Sequence, residues 1–71
     1  MNTSYKSYKP EVLVGGQWSS NSLRFATDKE ALASARELMS RWYVPVDGRA
    51  GVSDDAVNFR FDFTSNSNVR L

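Results

Sequence analysis

Apolar and polar residues alternate strictly near the C-terminal end of the chain. Val57, Phe59, Phe61 and Phe63 interleave with Asn58, Arg60, Asp62 and Thr64. A period of two sorts side chains onto opposite faces of a strand, so this segment reads as half-buried β-structure with its aromatic face inward. Upstream the period changes. Ala31, Leu32, Ala35, Leu38, Met39 and Trp42 recur at helical spacing as one apolar stripe, and Lys29, Arg36, Glu37, Ser40 and Arg41 take the remaining surface. Thr27-Asp28-Lys29-Glu30 forms a capping box: the threonine oxygen can accept the Glu30 amide, and the Glu30 carboxylate can reach back. Asp28 and Glu30 in the first turn, with Arg36 and Arg41 toward the end, suit the helix dipole. Glu37 and Arg41 are spaced for an i,i+4 ion pair. Pro45 disfavours helical geometry at Val44, which predicts a helix ending near Tyr43.

Before the helix, Tyr8 to Val14 and Gln17 to Ser19 flank Gly15-Gly16, the sequence of a two-residue hairpin turn. Leu23 and Phe25 bracket Arg24 in a short extended stretch. After the helix, Arg49 to Val52 is expected to pair back onto the 57–63 strand through a turn at Ser53-Asp54-Asp55-Ala56. Residues 1–7 are polar, though Tyr5 can extend the first strand. Thr64-Ser65-Asn66-Ser67-Asn68 holds no core-forming residue. Residues 1–7 and 64–71 are therefore predicted as flexible tails around a domain spanning 8–63. The predicted fold class is α+β: a single domain in ββαββ order, with an antiparallel sheet of about four short strands and one amphipathic helix packed on one face.

Composition narrows the functions such a domain can serve. The chain has 71 residues, 41% apolar and 24% charged. A chain this short hides only about 60% of its unfolded surface on folding, which leaves little interior for a substrate pocket. Nine basic residues face eight acidic ones, for a net charge of +1. That is far from the excess typical of a protein that binds phosphate backbones. Cysteine and histidine are absent. Disulfides, thiolate nucleophiles, Cys/His zinc sites and imidazole-based triads are excluded with them. Asp54 and Asp55, with Asp47 upstream, lack the spaced oxygens of a calcium loop and read as turn residues. Neither Gly15-Gly16 nor the Gly48 and Gly51 pair forms a phosphate-binding loop. The sequence predicts a non-enzymatic protein without a catalytic, cofactor or metal site. The N-terminus lacks a signal-peptide pattern and no apolar run approaches membrane-spanning length, so a cytoplasmic location is expected.

What remains is surface. Arg24, Arg60 and Asp62 are expected on the outer sheet face, where Arg49, Lys6 and Lys9 can join them. Trp18, Tyr5, Tyr8 and Tyr43 have no assigned place in the core. Exposed aromatics beside arginines mark binding surfaces for protein or nucleic acid. Lys29, Arg36, Glu37 and Arg41 offer a second candidate area on the helix. Two tryptophans, three tyrosines and four phenylalanines are more than this core covers, and a symmetric homodimer is the expected way to cover the rest.

Leu23-Arg24-Phe25-Ala26-Thr27, followed by Glu30-Ala31, Leu38, Arg41-Trp42, Arg49 and Val57-Asn58, resembles a family of short proteins encoded by bacteriophages and prophages. The likeness covers roughly residues 18–60. It implies a viral origin and a compact αβ fold and transfers no active site. Ala56 stands where the pattern has proline, and Tyr43-Val44-Pro45 follows Arg41-Trp42 where a β-branched residue is usual. The expected function is that of a small phage protein acting in the host cytoplasm. It would engage a host or phage macromolecule and inhibit it by surface occlusion, in counter-defence or host takeover. The alternatives are a single-stranded nucleic-acid module using the outer sheet face, and a structural component of a viral assembly.

Overall fold

The computed structural model describes residues 6–42 and 44–71. Its elements run β1 (Ser7–Val14), β2 (Gln17–Ser20), α1 (Asp28–Arg41), β3 (Asp47–Ser53), β4 (Phe59–Asp62) and β5 (Ser67–Arg70). The architecture is α+β, with one helix, a three-stranded antiparallel sheet ordered β2-β1-β3 and a separate antiparallel pair, β4-β5.

Both ends of the β1–β2–α1 segment form for local reasons. Gly15 and Gly16 have φ of 58° and 80°. These left-handed conformations let two residues turn the chain so that Val14 faces Gln17. Thr27 caps the helix in an extended conformation, and its hydroxyl accepts the Glu30 N–H at 3.2 Å. The Glu30 carboxylate closes onto the Thr27 hydroxyl at 2.9 Å with Oε1, and with Oε2 it accepts the Phe61 N–H at 2.9 Å. The cap therefore also moors β4. At the other end the helix stops at Arg41, and Trp42 swings out of helical geometry at φ −137°.

Three expectations about the strands are corrected. First, β3 pairs antiparallel with β1, from Ser7 opposite Ser53 to Leu13 opposite Asp47, and not with β4. Turn residues at 53–56 report a bend in the chain, but not which strand lies beyond it. The helix packs on β1 and β3. Gly48 permits that approach, because a Cβ there would lie 2.9 Å from Met39 Sδ and 3.3 Å from the Ala35 Cβ. Second, residues 64–71 are not an unpaired tail. Asn66 turns at φ 56° and β5 pairs with β4. The Ser34 hydroxyl then donates to Asn68 Oδ1 at 2.7 Å, tying β5 to the helix. This strand is held by hydrogen bonds between polar residues, so it has no apolar period to detect. Third, Ser7 belongs to β1 and is fully buried, its hydroxyl donating to the Asp55 carbonyl at 2.7 Å. Tyr5 and Tyr43 lie outside the described residues.

The segment from Ser22 to Phe25 joins the two sheets. Tyr8 and Phe25 exchange backbone hydrogen bonds of 2.8 Å each, and the Arg24 carbonyl accepts from the N–H groups of Asn58 and Phe59. Asn58 acts as a second backbone: its Oδ1 accepts the Arg24 N–H at 2.8 Å and its Nδ2 donates to the Ser22 carbonyl at 3.0 Å. At this junction sits the core. Phe25, Ala31 and Phe61 are buried there, with Tyr8, Leu23, Ala33, Ala50 and Phe59 against them. Two residues expected in the core are outside it: Phe63 is 54% exposed and Trp42 is 41% exposed. Phe63 lies beyond the last residue of β4, past the reach of the core, and packs edge-on against Phe61. Trp42 follows the last helical residue, so the helical period no longer sets its direction.

Candidate binding surface

Five groups of predicted surface residues separate in space. Arg24 is not on an open sheet face. Its side chain is only 15% exposed, and its guanidinium donates to Asp55 Oδ2 at 2.9 Å and to the Leu23 carbonyl at 2.9 Å. Those bonds commit its Nε and Nη1 groups to the fold itself. The Arg24 hydrogen bond, with help from the Ser53 hydroxyl, holds the Asp55 carboxyl below its usual range. A carboxyl depressed in the folded state stabilises the fold above its ordinary pKa, near 3.9, and that contribution disappears as pH falls through the depressed value. The melting temperature should therefore stay level down to about pH 5 and fall below about pH 4. Asp55→Asn should reduce that acid-limb decline. An identical decline in thermal melts of wild type and variant would show that Arg24–Asp55 carries none of it.

Trp18 lies on the sheet face opposite the helix, but its ring is covered. The Arg49 guanidinium sits 4.0 Å from the ring centroid and donates to Glu11 Oε1 at 2.7 Å. Lys9 Nζ lies 3.8 Å from the other oxygen of Glu11. A stacking platform already occupied by the chain's own arginine, with a carboxylate beside it, is a poor seat for a nucleobase. Arg60 projects into solvent from β4, as expected. Asp62 lies on the same face of the strand, but its Oδ1 accepts the Thr64 N–H at 3.0 Å. The Ser65 hydroxyl and the Thr64 and Ser65 amides hold its carboxyl below the usual range. Asp62 thus shapes the β4–β5 turn. Glu37 and Arg41 form the expected pair, with two hydrogen bonds of 2.6 and 3.0 Å.

Lys29 and Arg36 are the residues the fold brings together. With Leu32, Ala33, Phe63 and Asn66 they line a recess of about 280 Å³ between the helix and the β4–β5 turn. Positions 29, 32, 33 and 36 form one helical stripe, adjoining the apolar one. Lys29 Nζ stands 6.0 Å from the Phe63 ring centroid. Neither cation has a carboxylate within ion-pair distance among the described residues. Reading the sequence for its strand period assigned Phe63 to the core, so the aromatic member of this group was missed. The available signal was its place beside Thr64-Ser65-Asn66, where the strand runs out.

A second recess, of about 240 Å³, lies on the other flank of the helix, lined by Pro10, Val12, Leu38 and Trp42 with Ser19 to Asn21. Among the described residues, no cluster of three or more acidic side chains could hold a metal ion, and no helix is long and apolar enough to cross a membrane. No known family, curated protein or solved structure matches the chain.

Proposed function

We propose that this is a small non-enzymatic binding protein that occludes the surface of another protein. Its contact centre is the recess between the helix and the β4–β5 turn. One observation carries the reading: Lys29 and Arg36, both without an acidic partner among the described residues, flank the half-exposed ring of Phe63. Two cations around an apolar floor suit an acidic protein segment that also presents an apolar side chain. A nucleic-acid strand would need a longer track of cations, and Arg24 and Trp18 are no longer free to extend one. The resemblance to short phage proteins supports a viral origin and action on a host or phage protein in the host cytoplasm, in the manner of counter-defence and host-takeover factors.

The test is capture from host lysate with and without nuclease, in parallel with the double variant Lys29→Glu/Arg36→Glu. Both substitutions are on exposed helix positions and should leave the fold intact, which circular dichroism checks. The expected result is a stoichiometric protein partner that survives nuclease, is weakened by salt, and binds the double variant about tenfold or more less tightly. A partner held equally by the variant, or recovery of nucleic acid alone, overturns the reading.

A further inference from the structure

The described residues bury few large side chains. The buried apolar residues are Val12, Phe25, Ala31, Ala35 and Phe61, while Trp42, Val44 and Val46 are 41, 55 and 75% exposed. Domains of this size commonly add oligomerisation to so small a core. Part of the uncovered apolar surface, with Trp42 in it, is one continuous recess. The helix lies over β1 and β3 but not over β2, and the recess of Pro10, Val12, Leu38 and Trp42 opens over the inner face of that uncovered strand.

Beside this recess is an open strand edge of unusual chemistry. Strand β2 has β1 on one side and, among the described residues, no strand on the other. The edge strands β3 and β5 carry charge, Asp47 and Arg49 on one and Arg70 on the other. Strand β2, Gln17-Trp18-Ser19-Ser20, carries none. Charged residues are the usual guard against edge pairing, and here the guard is missing from the edge that adjoins an apolar recess.

We infer that the occupant of this edge is a second copy of the chain. The two β2 strands pair antiparallel across a two-fold axis, making a continuous sheet ordered β3-β1-β2-β2-β1-β3. Such an axis is perpendicular to the sheet, so both helices stay on the same face and the two recesses come side by side, each presenting Trp42. Charge selects this surface for self-association. A two-fold interface sets a patch against itself. The Lys29 and Arg36 recess would repel its own copy, whereas the β2 edge and its recess are uncharged and compatible with themselves. The inference is independent of the acidic-partner reading, which uses the other flank of the helix.

Sedimentation equilibrium should show wild type converting from 8.0 kDa to twice that mass across the micromolar range. Ser19→Lys places a cation of each copy beside the axis at an exposed position. It should weaken association about tenfold or more, and Lys29→Glu/Arg36→Glu should leave it unchanged. Because the chain has no cysteine, a single introduced thiol reports geometry. Ser19→Cys should cross-link to its own copy on mild oxidation much faster than Arg36→Cys. A wild type that stays at 8.0 kDa to high micromolar concentration overturns the inference. So does a Ser19→Lys variant that dimerises as wild type does, or an Arg36→Cys variant that cross-links as readily as Ser19→Cys.

Discussion

Phe25→Ala is expected to unfold the protein at physiological temperature. Phe25 is fully buried where the two sheets meet. Its ring packs with Phe59 at 6.5 Å between centroids, and its backbone exchanges two hydrogen bonds with Tyr8. Replacing a buried phenylalanine by alanine costs about 3–5 kcal/mol. A core in this size class supplies about that much net stability in total. Trp42→Ala is the informative comparison, because it removes a larger ring from a position 41% exposed. It should cost less than half as much. Urea titrations of both variants decide the matter: if Trp42→Ala proves the more damaging, the core has been placed at the wrong end of the helix.

Asn58→Ala has the next largest expected effect, although Asn58 contributes nothing to apolar packing. The substitution strands the Arg24 N–H, which donates to Asn58 Oδ1 at 2.8 Å, and the Ser22 carbonyl, which accepts from Asn58 Nδ2 at 3.0 Å. Leaving partly buried backbone groups unpaired costs about 1–3 kcal/mol, or a melting temperature lower by roughly 5–20 °C in a domain of this length. Asn58→Asp keeps the acceptor for Arg24 and loses the donor to Ser22, so it should fall between alanine and wild type. Equal melting temperatures for all three would mean that Asn58 does not hold the junction. Several residues of the motif set between Leu23 and Asn58 gather here: Arg24 and Phe25 with Asn58 at the junction, and Thr27 with Glu30 at the cap that moors Phe61. These residues of the pattern are occupied by folding, and the proposed binding residues Lys29, Arg36 and Phe63 lie outside it.

What the sequence made legible was whatever is decided within a few residues. The Thr27 cap, the apolar helical stripe as far as Met39 and the Gly15-Gly16 turn are local, and each appears as read. The partner of β3 is not local. Residues 47–53 look like half of a hairpin with the next strand, yet their neighbour is β1, 46 residues away at Ser7 and Ser53. Strand β5 was invisible for a different reason: Ser34 and Asn68 anchor it by a hydrogen bond, which leaves no mark on hydrophobic periodicity. Half of the proposed site was readable, because Lys29 and Arg36 are evident as polar helix positions. Phe63 was not, since alternation continues through residue 63 while the strand itself stops at Asp62.

The two pairings of β1 also differ in how they tolerate changes of chain length. Its register with β2 is dictated by a turn of two glycines, and inserting one residue there would rotate the side chains of β2 to the opposite face of the sheet. Its register with β3 is set by no turn, because a whole helix and its flanking segments lie between. Closing a long loop becomes only about 0.6 kcal/mol harder for each doubling of its length. Residues added beside the exposed Trp42 and Val44, ahead of the buried Pro45 and of the Val46 N–H that donates to the Leu13 carbonyl, would therefore lengthen the connection and leave the sheet as it is. Changes of length are best absorbed just after the helix, beside Trp42, where added residues would also reshape the apolar recess that Trp42 lines.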